Sequence, residues 1–467
     1  MAVGETVTSS RSAPLDLSAV GPRVGVLGHY GNRNLGDEAI IEALIARIRA
    51  EWPGARVIAF SMDPADTTRR HAVPAYPIRL ESGRLNLDDK AEAVARMVRD
   101  AHVHAVGEIP PPTVRTRLDH ITGLVPKGRL RTGAGKLLRR VAYVVAEIGF
   151  VARSFWRVRT LDAMFVAGSN QFLDNFGGPW GFPYTLLKWT VLCKLARCRV
   201  YHMSVGAGPL ELPLSWKLAR LALRLSDYAS FRDAGSRALI ARVGADPDGP
   251  TVPDLAHGLS WRTPARTACG AGRRVAINPM PVYDGRFWPV ADDERYRAFV
   301  QQLSLFTQSL LRAGRDVVFF TTHFADARVA LDVNRAVRTQ APELADRLPG
   351  IRTPTTVAEL MKVISGADLV VATRFHGILL SLLAGRPVVG ICYQEKSREL
   401  MAKYGQQHYA IVLERISEPA LSERLSDLEA CYANEAGRIR RDNLLLQAQL
   451  EAQYREVFGR IARRFSR

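Results

Sequence analysis

The sequence has few cysteines and no long apolar run. Its five cysteines, among 467 residues, are scattered and form no CxxC pair, which excludes a disulfide framework or a paired-cysteine zinc site and favours a reducing compartment. Residues 1–22 are rich in Ser, Ala and Gly and contain no apolar core of signal-peptide length, so they are predicted to form a disordered leader rather than an export signal. The protein is therefore expected to remain in the cytoplasm.

The chain is also short of acidic residues. It has 46 Asp and Glu against 64 Lys and Arg, for a formal net charge of +18, which indicates an anionic partner such as lipid headgroups, nucleic acid or a phosphorylated small molecule. The basic residues are dispersed and are not interleaved with aromatic residues, and residues 128–136 lack the spacing of a phosphate-binding P-loop. No nucleic-acid partner is therefore predicted.

Short β-branched runs alternate with helix-periodic segments, which predicts parallel sheets covered by helices. At 467 residues, the chain is expected to form two such domains. The predicted first domain spans residues 23–260, and the second spans 273–430, after a linker rich in Pro, Gly and small residues. The predicted strands are Arg23 to Gly28, Arg56 to Ser61, Ala163 to Gly168, Arg199 to Val205, Tyr228 to Phe231, Arg274 to Asn278, Asp316 to Thr321, Asp368 to Thr373 and Pro387 to Cys392.

Two further segments depart from this alternation. Residues 83–160 are predicted to be an insertion in the first domain, and 431–467 a C-terminal helix that packs back across it. Within the insertion, residues 141–152 are apolar except for Glu147 and are flanked by basic residues. A bilayer span needs roughly 20 apolar residues, so residues 136–159 form either a core helix or a helix that contacts the headgroups of an anionic membrane. The high net charge favours the membrane.

The first candidate site is the turn between the first strand and the first helix. Gly31 and Gly36 would let the backbone approach a ligand, and Asn34 and Asp37 lie where the helix N-terminus offers free N–H groups. Glycine-rich turns are common, and this spacing is not the GxGxxG of dinucleotide-binding folds. A tight turn in which Asp37 stabilises the helix dipole is the alternative interpretation.

The second candidate site is ATRFHG, residues 372–377, between a strand and an apolar helix. Arg374 would grip a phosphate or carboxylate with a planar fork. His376 would exchange protons near neutral pH. An Arg and a His two positions apart at the carboxyl end of a strand are hard to explain by packing, so a functional role is favoured.

Further polar residues follow other predicted strands. Each has an ordinary alternative: turn chemistry for the glycine-rich segments, a salt bridge to Asp233 for Arg232, and a solvated helix start for Lys396. The additional substrate-binding candidates are Ser169, Gln171, Gly206, Arg232 and Lys396.

Six segments, in order, resemble the polysaccharide pyruvyl transferase family: GNRNLGDEAI, VAGSNQFLDNFGGPW, SVGAGPL, SFRDAGSRALI, VPDLAHGL and ATRFHGILLSLLAGRPVVGICYQEK. The resemblance extends from about residue 23 to about residue 405. It implies two Rossmann-like halves in a glycosyltransferase-B-like arrangement with the active site between them. Phe375 replaces a Leu that is common in the family, and Ala167-Gly168-Ser169 replaces a frequent Gly triplet.

The resemblance implies that Arg374 and His376 act in donor binding and catalysis. The predicted reaction transfers a pyruvyl group from phosphoenolpyruvate to a pair of sugar hydroxyls and forms a ketal. The acceptor is a cell-surface polysaccharide or its lipid-linked precursor. Arg374, assisted by Lys396 or Arg232, would hold the donor, and Asp37 would orient or deprotonate the acceptor. No metal or other cofactor is expected, because arginine and lysine would offset the charge of the donor.

Two other functions remain open on the sequence. One is a glycosyltransferase that uses a sugar nucleotide, because twin α/β domains serve both chemistries. The other is a membrane-associated scaffold for glycan assembly without catalysis. Replacement of His376 distinguishes an enzyme from a scaffold, since only an enzyme would lose turnover.

Overall fold

The computed structural model describes residues 21–80, 133–245, 249–261, 274–288 and 291–465. Most of the predicted leader, the first part of the predicted insertion and the predicted linker lie outside these ranges. The described residues form two parallel-sheet α/β domains, and the predicted fold class is confirmed.

The sheet of the first domain has the strand order β3-β2-β1-β4-β6-β5, with β7 also paired to β6. Its strands are buried almost throughout, which accounts for their near-continuous apolar sequences. The bounds are β1 Arg23–Leu27, β2 Arg56–Ser61, β3 Ala75–Pro77, β4 Ala163–Ala167, β5 Asn170–Phe172, β6 Arg199–Ala207 and β7 Tyr228–Phe231.

The sheet of the second domain has the order β10-β9-β8-β11-β12-β13, which is the 3-2-1-4-5-6 order of a doubly wound nucleotide-binding sheet. In such a sheet the strand order reverses beside the first strand, and the crevice at that point is where ligands bind. Here the reversal lies between β8 and β11. The bounds are β8 Arg274–Asn278, β9 Asp316–Phe320, β10 Gly350–Arg352, β11 Leu369–Ala372, β12 Val388–Cys392 and β13 Ala410–Val412.

Helices connect the strands and cover both sheets. Several begin at the side-chain caps that their sequences predict: Asn34 accepts from the backbone of Gly36, and Thr356 and Glu359 form a capping box. The helix bounds are α1 Leu35–Glu51, α2 Pro64–His71, α3 Gly133–Val158, α4 Phe182–Leu195, α5 Pro213–Arg224, α6 Ala234–Arg242, α7 Asp293–Arg312, α8 Asp326–Gln340, α9 Val357–Ser365, α10 Phe375–Leu383, α11 Glu395–Lys403, α12 Glu418–Ala430 and α13 Tyr432–Phe465.

Helix α13 is anchored in both domains. Near its middle, Asn443 accepts a hydrogen bond from Tyr404 at 2.6 Å and donates one to the Leu382 carbonyl at 2.9 Å, both in the second domain. Farther along, Gln453 donates to Ser204 of the first domain at 3.1 Å, and the Phe458 ring packs near Phe165. The helix thus connects the two domains by a second route besides the chain between β7 and β8.

Candidate active site

A cleft of about 480 Å³ lies between the two domains. It is lined by the loops that follow the carboxyl ends of strands in both sheets, as expected for ligand sites in open α/β folds. The first domain contributes His29, Asn32, Asn34, Asp37, Ser169, Asn170, Leu173, Asn175, Phe176, Pro209 and Arg232. The second domain contributes Met280, Pro281, Phe287, Trp288, His323, Phe324, Ala325, Arg374, Phe375, His376, Tyr393, Gln394 and Lys396.

Asp37 lies at the centre of the first-domain wall. The Ser169 hydroxyl donates to one carboxylate oxygen at 2.7 Å, and the Asn34 amide donates to the other at 2.9 Å. Ser169 follows β4 and Asp37 follows β1, so the pair bridges the point where the strand order of this sheet reverses. Ser169 has φ +54, a left-handed conformation that is costly for a residue other than glycine and often marks a functional position.

The carboxyl of Asp37 is suited to exchanging protons. Burial is the main cause that raises its pKa to about 6, the neighbouring Glu38 adds to the rise, and the hydrogen bond from Ser169 opposes it. Asp37 is therefore mostly ionised at pH 7, but it holds a proton more readily than an exposed aspartate does.

Arg374 lies on the second-domain wall, after β11. Its Nε donates to Asp326 Oδ1 at 2.6 Å, while the other oxygen of Asp326 accepts the backbone N–H groups of Thr322 and His323 at 3.0 Å. Asp326 thereby fixes one edge of the guanidinium. The terminal nitrogens of Arg374, on the fork that suits a phosphate or carboxylate, make no other hydrogen bond within the described residues.

The surroundings of His376 favour its neutral form. Burial lowers the pKa of its imidazole to about 4, although the neighbouring Asp254 opposes that effect. Its Nε2 lies 3.9 Å from Asp254 Oδ2 and has no hydrogen-bond partner among the described residues. A buried polar atom of this kind at the edge of a cleft is positioned to meet a ligand.

Two further cations approach the ring of Phe375. The Arg232 guanidinium lies 4.6 Å from the ring centroid, and Lys396 Nζ lies 6.0 Å from it. Arg232 also forms ion pairs with Asp233 and Asp254, each at 3.3 Å. It therefore lines the cleft and also forms the salt bridge to Asp233 that was the alternative to ligand binding. Burial is the main cause that lowers the pKa of Lys396 to about 7, with Arg232 adding to the effect.

The three glycines among the predicted ligand-binding residues lie close to protein groups. A Cβ on Gly36 would lie 2.1 Å from the His376 ring, and one on Gly206 would lie 2.8 Å from Arg232 Nε. Gly31 has φ +79 and packs on the backbone of Asp63. Gly36 and Gly206 thus leave room for two cleft side chains, and their approach to a ligand stays a prediction.

All but one of the remaining predicted residues line the cleft. Asp37, Asn34, Ser169, Arg232, Arg374, His376 and Lys396 all line the cleft. Gln171 does not: it lies within β5 with its side chain fully buried, and its amide donates to the Ala167 carbonyl at 3.5 Å.

Sequence reasoning missed several polar residues of the site, three of which lie beside predicted ones. Asp254 contacts both Arg232 and His376, Asp326 holds Arg374, and His323 lines the cleft beside Arg374. Asp326 and His323 follow β9, so the rule that ligand sites form after strand ends would have found them. Asp254 lies within VPDLAHGL, one of the segments that carry the family resemblance.

Within the described ranges, no cluster of three or more His, Cys, Asp or Glu side chains has an arrangement that would hold a metal ion. Among the charged side chains that line the cleft, Arg232, Arg374 and Lys396 outnumber the one carboxylate, Asp37. Guanidinium and ammonium groups suit an anionic ligand.

Comparison with protein families identifies the group to which this fold and cleft belong. The model of the polysaccharide pyruvyl transferase family matches residues 34–395, which include every cleft residue from Asn34 to Gln394. The chain belongs to the polysaccharide pyruvyl transferase family. This confirms the resemblance seen in the six sequence segments.

Among curated relatives of this pyruvyl transferase family member, the amylovoran biosynthesis protein AmsJ of Erwinia amylovora is 21% identical over 290 residues. The match covers 58% of this chain and 66% of AmsJ, so it spans just under two thirds of that relative.

Solved structures show the same architecture. A UDP-N-acetylglucosamine 2-epimerase superposes with a TM-score of 0.51 at 11% identity, covering 94% of this chain and 97% of the epimerase. Alr3699/HepE of Anabaena, solved in complex with UDP and glucose, superposes with a TM-score of 0.50 at 10% identity, covering 94% of this chain and 99% of HepE. At these identities the likeness shows the fold alone, which is glycosyltransferase-B-like.

Proposed function

We propose that the chain transfers a pyruvyl group from phosphoenolpyruvate to two hydroxyls of one sugar, in a cell-surface polysaccharide or its lipid-linked precursor, and works in the cytoplasm. The observation that carries this proposal is the convergence of Arg374, Arg232 and Lys396 opposite Asp37 in the cleft of a pyruvyl transferase family member. Three cations fit the phosphate and carboxylate of phosphoenolpyruvate, and a carboxylate across the cleft fits a sugar hydroxyl.

The donor binds to the second-domain wall. Because Asp326 holds Nε of Arg374, the terminal nitrogens of Arg374 meet the phosphate or carboxylate of the donor as a prearranged fork. Lys396 and Arg232 approach from the side of the Phe375 ring. Charge on the donor is thus offset by protein cations, and we propose that no metal or cofactor takes part.

Proton transfer begins the reaction. Lys396 and His376 both have lowered pKa values in the free protein, and a bound anion raises them by favouring the charged forms. Either side chain, once protonated, delivers a proton to the methylene carbon of the donor, as we predicted for His376 from the sequence. The carbon–carbon double bond becomes a methyl group, and the central carbon becomes electrophilic.

Two sugar hydroxyls then attack in turn. The first forms a carbon–oxygen bond to the central carbon and releases its proton to Asp37. The bond from that carbon to the phosphate oxygen then breaks, and the second hydroxyl closes the ketal. Of the two hydroxyl protons, one balances the proton gained by the methyl group and the other leaves with the phosphate, so no oxidant or reductant is needed.

Calorimetric titration tests this function directly. Wild type and Arg374→Ala would be titrated with phosphoenolpyruvate and, separately, with UDP-sugars, and Arg338→Ala on the exposed surface of α8 is the matched control. We expect saturable phosphoenolpyruvate binding that weakens about 10- to 100-fold in Arg374→Ala, as expected for the loss of charge-assisted hydrogen bonds. Binding of a UDP-sugar without any response to phosphoenolpyruvate would instead establish a sugar-nucleotide transferase.

Turnover is a second, independent test. Mass spectrometry of a glycan acceptor incubated with phosphoenolpyruvate would detect the added ketal, and His376→Ala should reduce its formation about 100-fold or more. A His376→Ala variant that supports glycan assembly as well as wild type does would identify a scaffold and overturn the proposed catalysis.

A further inference from the structure

Exposed apolar side chains concentrate on one side of the molecule. Fourteen large apolar side chains are exposed in the described ranges, and twelve of them lie between Val141 and Leu221. The other two, Leu444 and Leu445, are on α13. Single exposed apolar residues are ordinary on soluble proteins, but a concentration of this size marks an interaction surface.

Eight of the twelve residues lie on α3 and α5, which pack with α4 on one side of the first sheet. Buried residues of all three helices, among them Phe150, Trp189 and Ala219, belong to one core cluster. The exposed sides of α3 and α5 carry side chains such as Ile148, Leu214 and Leu221, whereas α4 exposes a large apolar side chain only at its last residue. We call this surface, formed by the exposed apolar residues from 141 to 221, the exposed apolar face.

The exposed apolar face reaches the mouth of the cleft through a chain of contacts. Glu147 of α3 accepts from Lys188 of α4 at 2.7 Å and from Tyr184 at 3.4 Å. The Tyr184 ring contacts Trp180 at 5.6 Å between centroids. Phe176, four residues earlier, is 57% exposed and also lines the cleft.

Basic residues border this face. Arg153 and Arg159 are exposed on α3, where the Arg159 guanidinium lies 4.7 Å from the Trp156 ring centroid, and Lys217 and Arg224 are exposed on α5. Among acidic residues, Glu147 is paired with Lys188, and Glu211 is exposed beside α5. Apolar and tryptophan side chains bordered by arginine and lysine are typical of surfaces that enter the headgroup region of an anionic bilayer.

We propose that the exposed apolar face docks on the surface of an anionic lipid bilayer and holds the mouth of the cleft against it. This extends the predicted contact at residues 136–159 to α5 and the rim of the cleft. The assignment of a membrane-embedded, lipid-linked sugar as acceptor rests in addition on the proposed pyruvyl transfer. The docking itself does not depend on that reaction.

Charge favours a bilayer over a second copy of the chain. Two-fold pairing of this face would bring its basic borders together in a low-dielectric contact, where like charges repel. Anionic headgroups neutralise the same residues, and each basic side chain near such a surface adds to the attraction. No helix in the described part of the chain is long and apolar enough to span a bilayer, so contact with the membrane through these helices is peripheral.

Vesicle sedimentation tests the docking. Purified full-length protein would be mixed with vesicles of phosphatidylcholine alone or of phosphatidylcholine with phosphatidylglycerol. The test variant combines Val145→Ser, Ile148→Ser and Leu214→Ser, all at exposed positions, and the matched control is Leu444→Ser with Leu445→Ser on α13. We expect wild type and control to bind the anionic vesicles at least tenfold more strongly than the neutral ones, and the test variant to lose at least tenfold of that binding.

Two results would overturn the docking proposal. One is equal binding of wild type and test variant to anionic vesicles. The other is a wild-type dimer in sedimentation velocity that the test variant dissociates, because it would identify the face as a contact between copies of the chain. Circular dichroism would show that the test variant is folded.

A third measurement separates this proposal from the proposed function. Phosphoenolpyruvate titration should be the same in wild type and test variant, because none of the three positions lines the cleft. With a vesicle-embedded lipid-linked acceptor, the apparent KM of the test variant should rise about tenfold, whereas with a water-soluble acceptor it should not change. Vesicle binding without any phosphoenolpyruvate binding would retain the docking and overturn the proposed pyruvyl transfer.

Discussion

The two walls of the cleft have the same architecture and opposite chemistry. In both domains polar cleft residues follow the carboxyl ends of strands: Asp37 and Ser169 follow β1 and β4 in one sheet, and Arg374 and Lys396 follow β11 and β12 in the other. The first-domain wall centres on Asp37, which is hydrogen-bonded by two neutral groups, and the second-domain wall carries Arg374, His376 and Lys396. Strand topology therefore determines where a ligand lies, whereas residue type determines which ligand it is.

Arg232 departs from this division, because it comes from the first domain but approaches Phe375 and His376 of the second. Asp254, also from the first domain, pairs with Arg232 and lies 3.9 Å from His376. The cationic site is therefore complete only when the two walls are together. Each of the following changes tests one wall, or the contact between them.

Gly36→Ala should have the largest effect, because it forces the walls apart. The added Cβ would lie 2.1 Å from the His376 ring, so either the ring or the α1 N-terminus must move. We expect turnover to fall about 1,000-fold, within the range that a displaced proton-transfer group costs. Gly350→Ala, where no atom lies within 4 Å of the added Cβ, should leave turnover within about twofold of wild type, and an equal loss in both variants would contradict the explanation.

Asp37→Asn should affect only the first-domain wall, which we propose binds the acceptor. It retains the shape of the side chain but removes the carboxylate, so we expect kcat to fall about 100-fold while the Kd for phosphoenolpyruvate changes less than about threefold. Steady-state kinetics and calorimetry measure the two quantities, with the exposed Asp316→Asn as control. A large loss of phosphoenolpyruvate affinity would show that the walls do not divide donor from acceptor.

Lys396 should make donor binding dependent on pH. Its pKa of about 7 in the free protein means that the cation is present below pH 7 and is lost as the pH rises through that value. Phosphoenolpyruvate affinity should therefore fall about tenfold from pH 6 to pH 9, and binding near pH 7 should be accompanied by proton uptake. Lys396→Met should flatten this profile, and Lys362→Met on the exposed surface of α9 should not. An unchanged slope in Lys396→Met would assign the titration to another group.

Ser169→Ala should have the smallest effect. It removes the hydrogen bond that lowers the pKa of Asp37, so that pKa should rise above about 6. The acidic limb of the pH–rate profile should therefore move to higher pH. We expect a loss of about threefold to fivefold at pH 6 and a smaller one at pH 8, with Ser422→Ala on α12 as control. A uniform loss at every pH would indicate that Ser169 positions Asp37 without affecting its proton affinity.

The fold could be predicted from the sequence because its buried strands have recognisable apolar sequences. The predicted strands at 228–231 and 274–278 coincide with β7 and β8, since a strand buried on both sides needs a continuous apolar run. Arg374 and His376 were found for a related reason: polar residues between a buried strand and an apolar helix lie at the edge of the sheet. The strands and these two residues could be predicted because each is recognised from the residues next to it in the chain.

The features that the sequence did not reveal are formed by residues that are close in space but distant in the chain. A glycine-rich turn does not reveal what a glycine faces, so the close approach of Gly36 to His376 of the other domain was not predicted. Asp254 was missed because its partner His376 is 122 positions away in the chain. For the apolar segment 141–152 only the net charge favoured a membrane helix over a core helix, and the structure shows Phe150 buried and Ile148 exposed on the same helix.

The long helix α13 restricts how the two walls can move relative to each other. Its hydrogen bonds at Asn443 in the second domain and at Gln453 in the first are ten residues, or about 15 Å of helix, apart. Sliding one domain along this helix would break the hydrogen bonds between that domain and the helix, whereas bending of the stretch between the two anchors preserves both sets. We therefore expect the cleft to open and close by rotation of the domains about this stretch rather than by translation.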